Sequence, residues 1–528
     1  MATSTQHIIL KALACCAVAI IASGCSSVPK TAHATSRPTT QPQQVELTIL
    51  HVNDVYEIFP LQSGTVGGMA RLATLAKQLR AENPNTYLLL SGDFVAPSAI
   101  SNAVLDGRHV YGEQMVDLMN RVGVDWAIFG NHEFDIPPAA LQSRIHEAQF
   151  GWMAGNVRRK DGDNIVPFFR HGKPLPDYTV WQIRGAGGQM LRLGVIAASI
   201  ESNKKPFVHY KNLLQTAQAS YQALINNEKV DAVIAMTHLP IAQDRQIAKH
   251  LPDLALIVGG HEHRHHFEKV GTVAIANASA DARNAFVHRL RWNGKALSVT
   301  SELVWLNEKI APDTEISKRV KWWMDRVKSY FQKQGIDLLS PLVVLKQPLD
   351  GLEADIRTRQ TSLGRALTQA MYQAAQPHID LALANSGMVR LDDILQGPIN
   401  QFDIVRILPF GGSLVKVKMQ GTLVQKILDA GEKSRNEGSY LQRYPAQQLQ
   451  GKWQIGNQWL EPQKMYWVVM PNYLMTGLEV NMEFLTPRNP QVHAVIKPTD
   501  KKSLRDIRLA FVKYLQTQAT QKRDNRNL

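Results

Sequence analysis

LTILHVND, residues 47–54, decides the fold: a short apolar run passes straight into a polar cluster that ends in an aspartate. The same theme recurs four times. TYLLL (86–90) runs into Ser91-Gly92-Asp93, and WAIF (126–129) into Gly130-Asn131-His132-Glu133. AVIAM (232–236) runs into Thr237-His238, and LALIV (254–258) into Gly259-Gly260-His261-Glu262-His263. Amphipathic helical patterns lie between some of these runs, GGMARLATLAKQLRAEN (67–83) and GEQMVDLMNRVG (112–123) among them. Apolar strands alternating with such helices predict an α/β layered sheet. Ligands of these sheets bind beyond the carboxyl ends of the strands, where all five clusters fall.

The clusters share a chemistry. Asp, Asn and His supply oxygen and nitrogen donors suited to borderline divalent metals, and they do not make the all-oxygen cage of a calcium site. More than four donors predict two metals with one bridging carboxylate, the device used for in-line displacement at phosphorus. Glycines before Asp93, Asn131 and His261 let the backbone turn and come close. A single histidine after a strand is more often a packing or surface residue, but five such junctions in one half of the chain point together to a site.

Composition narrows the alternatives. At 528 residues, with 44% hydrophobic and 20% charged residues, the chain is globular and long enough for two or three domains. Cys15, Cys16 and Cys25 are its only cysteines, so the folded body has no disulfide, thiolate metal site or cysteine nucleophile. The apolar run at 12–24 (ALACCAVAIIASG) has the length of a signal-peptide core and is too short to span a bilayer, which excludes a polytopic membrane protein. The net charge of +14 is scattered, with a modest concentration after Asp500 that reads as a solvated helix and frayed end. No nucleic-acid partner is expected; dispersed positive charge attracts small phosphate-bearing molecules equally well.

Taken together, Asp54, Gly92-Asp93, Gly130-Asn131-His132-Glu133, Thr237-His238 and Gly260-His261-Glu262-His263 resemble the calcineurin-type metallophosphoesterase signature. ILHVND, GGMARLATL, GNHEFD and VGGHEH are similar, more narrowly, to the bacterial 5′-nucleotidase family. The resemblance implies a four-layer αββα catalytic domain (45–312), a linker helix (313–337) and a smaller α+β substrate-binding domain (338–528). It also implies two divalent metals (Mn, Zn, Co, Fe or similar), the first on Asp54 and His263, the second on Asn131, His238 and His261, with Asp93 bridging. His132, oriented by Asp135, would face the phosphoryl group, and Asn156 would contact phosphate. A metal-bound hydroxide would then attack the phosphorus of a small-molecule phosphoester, nucleoside 5′-monophosphates foremost. Other esters are the alternative (cyclic nucleotides, nucleotide sugars or a sulfur-bound substrate), as is a catalytically impaired envelope binding protein.

One residue departs from the family pattern. Asp-x-His becomes Asp54-Val55-Tyr56, so a phenol replaces an imidazole donor. Either the phenolate ligates, which favours a hard trivalent ion, or water substitutes and the first metal binds more weakly. A phenol near pKa 10 is a poor ligand, which favours weaker binding.

In the second half, TSLGRALTQAM (361–371), ALANSGMVR (382–390), ILPFGGSLVKVKMQG (407–421) and VVMPNYLMTGLE (468–479) each resemble a family block. By position, Asn385 and Arg390 would contact substrate, with Arg357 and Arg365 as further candidates and Arg359 a rival. Phe410 and Tyr473 would sandwich a base, unless they are core aromatics, and Glu479 stands where the family has Asp. Gly185–Gly188 reads as a hairpin turn, His265 and His266 as solvated or outlying, and Trp322 and Trp323 as packing residues of a helix at 314–334. Ala22-Ser23-Gly24-Cys25 resembles a lipobox, with 1–24 as leader and 25–44 as tether. That implies lipidation at Cys25, membrane attachment through the lipid anchor only, and an outer-membrane location facing the periplasm; plain secretion is the alternative.

Overall fold

The computed structural model describes residues 44–202, 204–498 and 502–524, so the leader, Cys25 and nearly all of the proposed tether lie outside the described residues. The five apolar runs are strands. Val45–Val52, Thr86–Leu90, Trp126–Ile128 and Gly151–Met153 lie side by side and parallel. Asn284–Trp292 and Leu297–Trp305 extend this six-stranded sheet antiparallel at the Val45–Val52 side. A second six-stranded sheet runs in the order Tyr178–Arg184, Met190–Ser199, Ala232–His238, Leu256–Gly259, Val273–Asn277, His266–Val270. Its four central strands are parallel and its two edges antiparallel.

Side-chain alternation explains the layers. Along Val45–Val52, Val45, Leu47 and Ile49 join Leu89, Ile128, Val195, Ile234 and Val258 in a core between the two sheets. Leu50 and Val52 point the other way, onto Leu72, Met115 and Ile145 of the helices Met69–Glu82, Glu113–Val122 and Pro138–Glu147. The second sheet's outer face is covered by Leu213–Asn226 and Ile241–His250 through Leu224 and Ile247. The result is helix, sheet, sheet, helix. Each such buried aliphatic side chain contributes about 1.5–3 kcal/mol, enough in sum to fix which strand ends meet.

The helix Thr314–Lys333 begins at an Asp313 cap, whose carboxylate accepts the Ile316 N–H. Ile316, Val320, Trp323, Val327 and Phe331 repeat at helical spacing and pack into the first-half core. Trp323 is fully enclosed and donates to Asp117, whereas Trp322 is partly exposed beneath the Arg319 guanidinium.

Beyond this helix lies a five-stranded sheet in the order Leu441–Tyr444, Leu381–Asn385, Met465–Pro471, Leu414–Gln420, Val492–Ile496. Ser362–Ala375 and Ile507–Asp524 cover one face through Leu363, Leu367 and Phe511; Gly421–Lys433 covers the other through Leu423 and Ile427. The basic C-terminal helix is therefore not wholly solvated. Phe511 is fully buried, and Arg508 is buried against Asp506 and Gln334. Gly185–Gly188 is the turn between two antiparallel strands, as the sequence suggests. No helix of the described residues is long and apolar enough to cross a membrane.

Candidate active site

The strand ends bring their polar clusters to one place. Asp54 and Asp93 leave their strands with φ of 53° and 57°, and His261 with 77°, a left-handed conformation that L-residues hold only when the surroundings impose it. Gly92, itself at φ 80°, and Gly130 allow the loops to touch. A Cβ on Gly92 would stand 2.6 Å from His238 Nδ1, and one on Gly130 would stand 2.2 Å from Asp93 Oδ1. Glu133 ties these loops together, accepting the backbone N–H of Asp93, Phe94 and Gly130. Burial, and next the Asp93 charge, push its carboxyl up to about 8.

Ligand atoms of Asp54, Asp93 and His238, all buried, lie within 4.8 Å of one another. His238 Nδ1 is 2.8 Å from the Ser91 carbonyl, which fixes the tautomer and turns Nε2 toward Asp93 Oδ2 at 3.1 Å. One oxygen of Asp54 accepts from Asn53 Nδ2 and His261 N–H, leaving Oδ1 facing His263 Nε2 at 3.4 Å. Oriented imidazole lone pairs against two buried carboxylates are what a divalent cation requires, so the residues fit the metal that the donor pattern predicts. Asn131 is buried next to His132, and His261 lines the cleft with Asn131 and Asp93.

Burial works against a charged His238, but Asp93 and Asp54 outweigh it and push the imidazole up to about 10. A metal must displace that proton. Filling the second metal position is therefore expected to release the His238 proton, with its apparent affinity falling about tenfold for each pH unit that the solution is acidified below 9. Calorimetric titration in buffers of different ionisation enthalpy checks this; an affinity flat between about pH 6 and 9 would contradict it.

His132 and Asp135 form the expected pair, Nδ1 to Oδ2 at 2.6 Å. Lys205 adds a positive charge 3.4 Å from the other Asp135 oxygen. On the far side, Arg390 of the second half donates to His132 Nε2 at 2.7 Å. Two residues on, Asp392 Oδ2 lies 2.5 Å from His263 Nδ1, and Arg283 pairs with Asp393 at 2.8 Å. Asp392, Lys205 and the loop-tying role of Glu133 have no counterpart in the sequence-based assignment. Glu133 lies within a quoted motif and Asp392 follows Arg390 closely, whereas nothing in the sequence marks Lys205.

The Tyr56 hydroxyl points into the same cluster. It donates to Asp54 Oδ1 or Asp93 Oδ2, 3.2 and 3.1 Å away, and lies 3.1 Å from His263 Nε2. Burial and then the two aspartates raise its pKa well above the ordinary phenol value.

Asp93, Asn131, His132, Asp135, His261 and His263 floor a cleft of about 1100 Å³ whose opposite wall belongs to the second half. Arg357, Asn385, Arg390, Phe410, Tyr473 and Glu479 all line it. Phe410 is 54% exposed and Tyr473 43%, so neither is a core aromatic. Asn385 Nδ2 donates to Glu479 Oε2 at 2.8 Å. Two expected residues are elsewhere. Asn156 is buried, binds the Ser199 backbone through both ends of its amide and does not line the cleft. Arg365 lies on the exposed side of the helix Ser362–Ala375, and Arg359 is exposed and paired with Asp350 and Asp355. His265 stands edge-on to Trp305 and His266 pairs with Glu268; neither lines the cleft.

Comparison with known proteins agrees with this geometry. Residues 47–265 match the calcineurin-like phosphoesterase model and residues 343–485 the 5′-nucleotidase C-terminal domain model. A 5′-nucleotidase of Vibrio cholerae is 26% identical over 494 residues, which cover 83% of this chain and 84% of that protein. The structure of a 5′-nucleotidase precursor from Thermus thermophilus superposes with a TM-score of 0.69 at 22% identity, covering 90% of this chain and 97% of that one. The sulfate thiohydrolase SoxB of the same genus shares the fold, with a TM-score of 0.63 at 15% identity, covering 90% and 94%.

Proposed function

We propose that this chain, which belongs to the 5′-nucleotidase family of calcineurin-like phosphoesterases, releases phosphate from nucleoside 5′-monophosphates with the help of two divalent metals. The observation that carries this is the facing of two chemistries across one cleft. Carboxylates and imidazoles form one wall; arginines and exposed aromatic rings form the other.

Asp54 and His263 would hold one metal, Asn131, His238 and His261 the other, and Asp93 both. Bound there, the metals supply Lewis-acid charge and make a water acidic enough to serve as nucleophile near neutral pH. The protein does the rest. Asp135 accepts the Nδ1 proton of His132 and so presents Nε2 to the cleft, where Arg390 converges on the same point. Arg390 would donate to a phosphoryl group there and stabilise charge that grows on its oxygens, and His132 would do the same from Nε2 in its doubly protonated form. Arg357 extends the positive field along the cleft. Phe410 and Tyr473 offer faces to a planar base, and Asn385 with Glu479 offers hydrogen-bonding groups to the sugar or base.

The test is hydrolysis by the Mn-, Co- or Zn-loaded protein of nucleoside 5′- and 3′-monophosphates, cyclic nucleotides, nucleotide sugars and a sulfur-bound ester, followed for each as loss of substrate with separation of the products. Fastest turnover of 5′-monophosphates is expected; turnover of the sulfur ester alone would overturn the assignment. Phe410→Ala is expected to raise KM for a nucleotide about tenfold, since base stacking on one ring is worth ~1–3 kcal/mol. Glycerol phosphate, which has no base, should be unaffected. We place the reaction in the cell envelope because of the leader-like run at 12–24 and the lipobox-like Cys25.

A further inference from the structure

Tyr56 stands where a packing tyrosine would not. Its ring is enclosed, 8% exposed, edge-on to His263 at 5.5 Å and to His132 at 6.3 Å. Asp281 Oδ1 accepts its backbone N–H at 3.1 Å, which helps to fix the loop. The hydroxyl oxygen then lies 3.2 Å from Asp54 Oδ1, 3.1 Å from Asp93 Oδ2 and 3.1 Å from His263 Nε2. Asp54 Oδ1 and His263 Nε2 are themselves 3.4 Å apart. Donors bound at ~2.0–2.2 Å to one ion are spaced about 2.9–3.5 Å from each other, the edge of an octahedron or tetrahedron. These separations fit the edges of one coordination shell that includes the phenol oxygen, as well as hydrogen bonds of the hydroxyl. His263 is already aimed at the same point, because Asp392 holds its Nδ1 at 2.5 Å.

We propose that Tyr56 ligates the first metal, so that this position is built from Asp54, Tyr56, the shared Asp93 and His263. The inference rests on the two-metal function proposed above and revises two expectations, that water replaces the missing imidazole and that both ions are divalent. The phenol oxygen donates a lone pair to the ion and its proton leaves to solvent water. With two carboxylates, a phenolate and a single imidazole, the first position is hard and strongly anionic, which matches a trivalent ion such as Fe³⁺. The second position has one carboxylate, an amide oxygen and two imidazoles, which suits a borderline divalent ion such as Zn²⁺. The pair is thus unlike in charge.

The test loads metal-stripped full-length protein with Fe³⁺ and Zn²⁺, then measures metal per chain and visible absorption. Wild type should hold one iron and one zinc and show a phenolate-to-iron charge-transfer band. Tyr56→Phe should keep the zinc, lose the band and bind iron at least about tenfold more weakly. Tyr56→His should hold two metals without the band, which separates loss of a ligand from loss of fold. A single metal per wild-type chain would show that the hydroxyl fills the position instead of coordinating, and would overturn the proposal. So would iron bound without the band, or unchanged iron affinity in Tyr56→Phe. Failure of the nucleotidase assignment reads out separately, as two bound metals and the band with no phosphate release.

Discussion

Asp93→Asn is expected to lower phosphate release by about 10³-fold or more, because one change removes charge from both metal positions and from the histidine beside them. Asp93 Oδ2 lies 3.1 Å from both His238 Nε2 and the Tyr56 hydroxyl. Its Oδ1 accepts the His132 backbone N–H at 2.7 Å. Asparagine keeps the shape and, through its carbonyl, the bond to His132. Its amide nitrogen would face His238 and Tyr56 as a donor, and a donor cannot bridge cations. Folding should survive. Burial works to raise the Asp93 carboxyl, and His238, then His132, overcome it and hold the group well below the usual carboxylate range. Removing one buried anion from a pair that share His238 therefore relieves repulsion with Asp54 while losing the attraction to the imidazole. Turnover at saturating metal, beside a circular-dichroism melt, distinguishes the outcomes. A folded variant that retains a tenth of the wild-type rate would mean that Asp93 does not bridge.

The sequence-based candidates that the structure brings together and those that it leaves apart differ for a physical reason. Asp54, Asp93, His132, His238 and His263 each follow an apolar run, and the run becomes a strand whose end the sheet must present at one edge. Position along the chain then implies position in space. Asn156 also follows an apolar run, but its amide closes on the Ser199 backbone from the neighbouring sheet, a pairing that no local pattern announces. The position of Arg365 is legible in the sequence. Leu363, Leu367, Ala370 and Met371 mark the buried face of its helix, and residue 365 falls on the opposite side at 3.6 residues per turn. Phe410 and Tyr473 were ambiguous because an aromatic residue fits a core or a stacking platform equally, and only their exposure in the cleft separates the two. Tyr56 stands in a legible motif, yet its role depends on separations of a few tenths of an ångström, which spacing in sequence does not carry.

Asp392→Asn is expected to weaken the first metal about 10–100-fold and to lower kcat/KM by up to about 10²-fold, although Asp392 touches neither metal nor substrate in the proposed arrangement. A metal-binding imidazole needs its other nitrogen protonated and held. Asp392 Oδ2 does this for His263 Nδ1 at 2.5 Å, while its Oδ1 accepts the Glu353 backbone N–H at 2.6 Å. Burial opposes charge on His263, and Asp392 outweighs it, raising the imidazole well above its ordinary pKa. Asparagine can turn its amide N–H toward Nδ1, and the ring then carries its proton on Nε2, the atom that must face the metal. Asp392 also holds φ at 41°, between Arg390, which donates to His132, and Asp393, which pairs with Arg283. Three ties within four residues join the second half to the first, two of them at His132 and His263, so orientation of a first-half metal ligand depends on a second-half carboxylate. Asp393→Asn weakens a neighbouring, largely buried tie without touching His263 and, in a variant shown by its melt to be folded, should leave metal affinity within about threefold because Asp393 orients no metal ligand. Metal retained after dialysis, measured for both variants, decides the matter. Equal retention in the two would mean that the second half joins the site only through substrate, and that His263 finds its orientation within the first half alone.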